Sequence, residues 1–395
     1  MEPPLLQLLL TMKSNFGWEQ KARWVLFPLL LVFLISCATS QIPHQTPADK
    51  AALRFRHGVN IANCLEVSPH AHWSVPHTTD DLREMRAEGF DHVRLPVGWH
   101  YYTGPAPGYK LAGEIFDKVD YFVTNATSLG LNIIINIHDF NEFMTNPAEN
   151  TDRFYAIWRQ VAAHYAHAPP GVVFELLNEP HDQATTGVMN PIYAETIREI
   201  RRTNPHRTLF VEPGNWGNPE ELAKLKLPEN DKNIIVSVHC YQPMFFTHQG
   251  ASWVKQYVNL SGVHFPGPPE TPLELDPSVH YEKWVLSDID QYNNLPPKKN
   301  PCSPLAFVPK IQQSAAWGKE HHRPIHFGEF GAFIKADQPS RVRYYAAMRQ
   351  ALNDAGLGWA IWDWKSGFNY WDRRNQRPFP GMHEALFPRE KKPVR

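Results

Sequence analysis

The chain has 395 residues, 43% of them hydrophobic and 20% charged, which is enough apolar material for a large core and excludes a disordered polymer. A formal net charge of −1 offers no basic surface for nucleic acid and no charged interaction tail. Aromatic residues reach 12%, with 13 Trp, more than a core usually needs, so some are free to serve as exposed flat surfaces.

The first element is a leader. Lys21 and Arg23 precede "WVLFPLLLVFLIS", Trp24 to Ser36, an apolar run short for a membrane span but suited to an export signal. The following "LISC", Leu34 to Cys37, resembles the lipobox of bacterial lipoproteins, which predicts cleavage before Cys37 and a lipid on its sulfur. Cleavage after Ala38, giving a free secreted protein, and an uncleaved anchor are the rival readings. Residues 1–37 are thus expected to be leader, 38–53 a polar, Pro-containing tether, and 54–395 one catalytic domain. The protein is expected to be exported and to touch a membrane only through that lipid. Cys64, Cys240 and Cys302 remain, an odd number without metal-ligand spacing; a Cys64–Cys302 bridge is open.

From Arg54 onward short apolar strands alternate with amphipathic helices. The strands read as "GVNIAN" from Gly58, "HVRLPV" from His92, "NIIINIHDF" from Asn132, "VVFELLN" from Val172, "TLFVEP" from Thr208, "NIIVSVHCY" from Asn233, "PIHFGEF" from Pro324 and "GWAIWDW" from Gly358. Helices lie between them. "TTDDLREMRAEG" has Thr78 or Thr79 as N-cap and Gly89 as its stop, and "SRVRYYAAMRQALNDAG" ends at Gly356. Eight such units without a Gly-rich phosphate turn predict an α/β fold of the (β/α)8 TIM-barrel type rather than a doubly wound sheet. The Pro-rich stretch from Ser252 to Val308 is too long for an ordinary connection and is expected to hang over the catalytic face.

Arg94, His138, Asn178, Glu179, His239, Tyr241, Glu329 and Trp362 all fall at or near the C-terminal ends of these strands, the face where TIM barrels do their chemistry. One of them alone would read as a core residue; six strands contributing together do not. Glu179 in "FELLNEP" and Glu329 in "HFGEFG" occupy opposite sides of the barrel, as a pair of acids flanking a glycosidic bond must. Glu175, four residues before Glu179, is expected to point into the barrel interior as the partner of an Arg. There is no G-x-S-x-G elbow for an esterase and no H-E-x-x-H for a zinc hydrolase.

Through "FELLNEP" and "HFGEFG" the chain resembles glycoside hydrolase family 5, the cellulase family, over about Arg54 to Phe387. The resemblance implies Glu179 as acid/base, Glu329 as nucleophile and Asn178 as donor to the sugar 2-hydroxyl. Arg94 would hold Glu329 ionised and lower its pKa, and Tyr241 would hydrogen-bond it. His138 and His239 would line the cleft, with Trp362 as the platform beneath the sugar. Trp99, Trp216, Trp253, Trp364 and Phe246 are further candidates for stacking on sugar rings. The implied activity is a retaining, endo-acting hydrolysis of β-1,4-glucan, with β-mannan or another β-glucan as alternative, by a monomer without cofactor or metal. A barrel that only binds glycans is the reading from a different class, and loss of either acid would have marked it.

Overall fold

Residues 45–389 are described by the structure, a computed structural model; the leader, Cys37 and the first part of the expected tether lie outside them. Eight parallel strands close into a barrel, each paired with the next and the last with the first. They are β1 (His57–Asn60), β2 (His92–Leu95), β3 (Asn132–Asn136), β4 (Val172–Glu175), β5 (Leu209–Val211), β6 (Ile234–His239), β7 (Ile325–Glu329) and β8 (Gly358–Ile361). Each expected strand is present, but most stop short of the expected end. β4 is the clearest case: the hydrogen-bonded ladder ends at Glu175, and "LLNEP" already bends away.

Because side chains alternate across a strand, one parity faces the helices and the other faces the lumen. Ile133, Ile135, Val172, Phe174, Leu209 and Val211 pack outward into the large shell beneath the helices. Ile134, Val173, Phe210 and Ile235 face inward and form the barrel floor with Phe55. Two residues further along the same strands come Asn136, Glu175, Glu212 and Ser237, so a polar layer is stacked directly on an apolar one.

The floor is closed by α1 (Pro47–Ala52), capped by Thr46 and Asp49 on each other's backbone. Its Ala48 and Ala51 are buried against the floor residues. The segment expected to be a tether through residue 53 therefore joins the folded body from Gln45, because its alanines complete a hydrophobic cluster. Helix α2 (Thr79–Glu88) follows expectation, with Thr78 and Asp81 forming the capping box and Gly89 stopping it at φ +106°.

The stretch from Ser252 to Val308 is less irregular than expected. It carries a helix, α3 (Lys283–Asn294), and buries Tyr257, Phe265, Tyr292 and Phe307. Phe265 packs edge-on against Tyr344 of α4 (Gln338–Asp354), and its N–H donates to Ser340 Oγ at 2.9 Å. Part of the stretch thus packs against the helices, where its aromatics find cover, while Trp253 lies against His248 and Phe368, the ring partners of Tyr241. Cys64 and Cys302 are both free, so they do not pair; the Cys302 thiol donates to the His264 carbonyl. Among the described residues no helix is long and apolar enough to cross a membrane.

Between β6 and β7 the register slips: Val238 faces Phe327 but His239 faces Glu329, leaving Gly328 as the extra residue. A Cβ at Gly328 would lie 2.6 Å from Ser237 Oγ and 2.9 Å from His239 Nε2, so only glycine lets the two strands meet there.

Candidate active site

The site is built around Arg94, wholly buried on β2. All of its five N–H donors have acceptors: Nε donates to Glu175 (2.5 Å), Nη1 to Asn60 (2.9 Å) and Glu329 (2.7 Å), and Nη2 to Asn178 (2.7 Å) and Glu212 (3.3 Å). Glu175 is therefore the interior Arg partner that the sequence indicated. Burial alone would push its carboxyl up, but the Arg94 charge and hydrogen bonds bring it down to about 2. Burial pushes Glu212, beside it, well above the ordinary carboxylate range. Glu175 Oε1 is buried without a hydrogen-bond partner among the described residues.

Glu329 ends β7 with its side chain almost fully covered, and Tyr241 donates its hydroxyl to Oε2 at 2.7 Å. Its pKa is not lowered, as the Arg94 contact had suggested. Burial raises it, and His239, Arg94 and the Tyr241 hydrogen bond only partly oppose that rise. Glu179 lies beyond the end of β4 in the left-handed region, at φ +44°, which turns its carboxyl group inward from a bend. His239, the last residue of β6, presents Nδ1 to Glu179 Oε1 at 2.8 Å. Burial disfavours charge on that ring, but Glu212 and Glu329 overcome it and hold the imidazole pKa well above its usual value. Oxygens of Glu179 and Glu329 approach within 4.8 Å of each other.

His138 is buried two residues past β3. Burial and the Arg94 charge keep it neutral, and Asn136 Nδ2 donates to its Nδ1, leaving Nε2 as the protonated nitrogen. Its ring stacks on that of Trp362 at 5.7 Å and 8°. Trp362 is only half-buried. The residues Arg94, His138, Asn178, Glu179, His239, Tyr241, Glu329 and Trp362 thus gather at one end of the barrel.

The outlying aromatics divide. Trp216 is 50% exposed, stands in a turn with φ +57° and stacks at 8° on His181, two residues after Glu179. Trp253 is also exposed, edge-on to Phe333. Trp364, Trp99 and Phe246 cannot stack on a sugar, because all three are wholly buried. The Trp364 indole donates to Asp81 Oδ1 (3.0 Å) and the Trp99 indole to the Asn136 carbonyl (2.9 Å), bonds that hold them in the shell.

Sequence reasoning passed over Asn60 and Glu212. The signal for Glu212 was present: "FVEP" repeats the apolar run, acid and Pro of "LNEP", and alternation from Phe210 places Glu212 in the lumen. Among the described residues two sets of side chains bring three ligating atoms within 4.8 Å of one another, Glu175–Glu212–His239 and Glu179–His239–Glu329. Arg94 donates to one or more members of each, so a divalent cation would have to share the lumen with a fixed guanidinium.

A parallel (β/α)8 barrel with two carboxylates facing each other across the C-terminal end of its strands has the architecture of a retaining glycosidase. The chain belongs to the cellulase family, glycosyl hydrolase family 5, whose sequence model matches residues 57–367. It is 26% identical to endoglucanase 3 of Fibrobacter succinogenes over 89% of this chain, and 26% identical to endoglucanase H of Acetivibrio thermocellus over 78%. It spans 56% and 29% of those two proteins' lengths. Among solved structures, endoglucanase Cel5A of Thermotoga maritima superposes with a TM-score of 0.75 at 30% identity, over 86% of this chain and 99% of that one. The same enzyme in complex with mannotriose gives a TM-score of 0.74 at 30% identity, over 85% and 99%.

Proposed function

We propose that this protein is a retaining, endo-acting β-1,4-glucan hydrolase. The observation that carries the mechanism is the approach of Glu179 and Glu329 to within 4.8 Å. Retaining enzymes hold their acids about 5–5.5 Å apart, while inverting enzymes need about 6.5–9.5 Å to admit a water. Glu329, oriented by Arg94 and Tyr241, attacks the anomeric carbon as Glu179 gives a proton to the leaving oxygen. Glu179 then takes a proton from water, and the hydroxide releases the sugar from Glu329. Trp362 supports the sugar at the cleavage point, Asn178 donates to its 2-hydroxyl, and Trp216 offers a platform on the leaving side. The endoglucanase names of the relatives support glucan as substrate.

The test is reducing-sugar release from a panel of β-glucans and β-mannans, with proton NMR of the first product. β-Glucan cleavage with the β-anomer appearing first is expected. An α-anomer first, or preference for mannan, overturns the mechanism or the substrate respectively. From "LISC" we further infer export with a lipid on Cys37, the enzyme working as a monomer. Wild-type protein found only as soluble material with an N-terminus at Thr39, or a dimer in size-exclusion chromatography, would refute these points.

A further inference from the structure

Glu212 has no part in the chemistry just assigned, yet it touches the acid/base residue by two routes. Its Oε2 accepts the backbone N–H of Glu179 at 2.9 Å. Its Oε1 lies 3.3 Å from Nε2 of His239, a charge contact rather than a hydrogen bond, and Nδ1 of the same ring is hydrogen-bonded to Glu179 Oε1 at 2.8 Å. The group has little freedom of its own: it is fully buried, and the Tyr193 hydroxyl donates to its backbone carbonyl at 3.0 Å. Glu179 in turn sits at φ +44°, a backbone state that a non-glycine residue keeps only when its surroundings hold it there.

We propose that Glu212 is a positioning residue for Glu179, fixing its main chain directly and its carboxyl group through the imidazole of His239. This rests on the reading of Glu179 as acid/base. Without Glu212 the N–H loses its acceptor, the left-handed turn relaxes, and the carboxyl group swings away from the leaving oxygen. The nucleophile keeps its own supports, Arg94 and Tyr241, and Arg94 loses only the longest of its five hydrogen bonds, the one at 3.3 Å to Glu212, so the damage falls chiefly on proton transfer.

Two substitutions separate this from a merely structural role. Glu212→Ala removes the group. Gly217→Ala displaces it, since a Cβ at Gly217, where φ is +65°, would lie 2.8 Å from Glu212 Oε2 and 3.3 Å from the His239 ring; it is also the readout if the first variant does not fold. Each is assayed on soluble β-glucan, whose leaving group needs a proton, and on dinitrophenyl β-cellobioside, whose phenolate leaves unaided. We expect kcat/KM to fall about 10²-fold or more on glucan and less than about threefold on the aryl glycoside. Azide should restore kcat on the aryl glycoside, and Glu212→Gln, which keeps an acceptor for the N–H, should recover most of the glucan activity. Equal losses on both substrates, no loss on either, or failure of Glu212→Gln to recover glucan activity overturns the proposal. Glu179→Ala is the control: if it shows no split between substrates, the acid/base reading fails; if it does and Glu212→Ala does not, only the present inference fails.

Discussion

Arg94 directs every one of its donors into the lumen, and the two facing acids, Glu329 and Glu179, differ in their surroundings. Glu329 is held from both sides by Arg94 and Tyr241, while Glu179 is partly open to the cleft and hydrogen-bonded to His239. Replacing either acid by Gln keeps its volume, so hydrolysis of β-glucan should fall by about 10³-fold or more with a melting temperature close to wild type. The raised pKa of Glu329 gives a pH prediction with a definite sign. Only the anion attacks, and burial raises the pH at which it forms, so kcat/KM should rise with pH through a limb above the ordinary carboxylate range. Tyr241→Phe removes a hydrogen bond that favours the anion and should move that limb up by about one pH unit. A limb that stays in place shows that Glu329 is not the group being titrated.

At the scale of elements, the barrel was legible because each strand announces itself by an apolar run between turn residues, and α2 by its Thr78 cap and Gly89 stop. Strand ends were not, since "LLN" after Glu175 is as apolar as a strand but has left the ladder. The fates of Trp364 and Trp99 were hidden for another reason. A buried indole needs an acceptor for its N–H, and for Trp364 that acceptor is Asp81, far away in the chain. Asp81 caps α2, accepts from Trp364 and is bonded through both oxygens to Lys365 Nζ at 2.7 Å. It therefore fastens the segment after β8 onto α2. Asp81→Ala should cost about 3 kcal/mol, the order expected when a mostly buried ion pair and a helix cap are lost together. Chemical denaturation measures this, and a loss below about 1 kcal/mol would mean that water replaces the carboxylate at no great cost.

For the whole molecule, carboxylates and Arg94 gather at one pole of the lumen, and the other pole is apolar apart from the buried His92–His326 pair beside Phe55 and Phe210, with α1 as its lid. Truncating the chain to begin at Arg54 should uncover the floor around Phe55 and Phe210 and destabilise the barrel by about 2 kcal/mol. Activity on β-glucan at room temperature should be unchanged, because the catalytic pole is built from other residues. A matching loss of activity would show that floor and catalytic pole are mechanically coupled. Most of the catalytic pole could be read from the sequence, because polar residues at successive strand ends have few structural excuses. Glu212 was missed because attention went to the residues that face a substrate, and Glu212 lies behind them, against Arg94, His239 and the Glu179 backbone.

The one-residue slip between β6 and β7 bears on how freely this protein can change. Gly328 touches no sugar in the proposed mechanism, yet any side chain there would strike Ser237 and His239 and separate the strand carrying the nucleophile from its neighbour. In a library of all single substitutions, Gly328 should be among the least tolerant positions, alongside the acids themselves. Variation in substrate preference is then confined to the connections beyond the strand ends, where exposed residues such as Trp216 and Trp253 can be exchanged without disturbing the frame that aligns the acids.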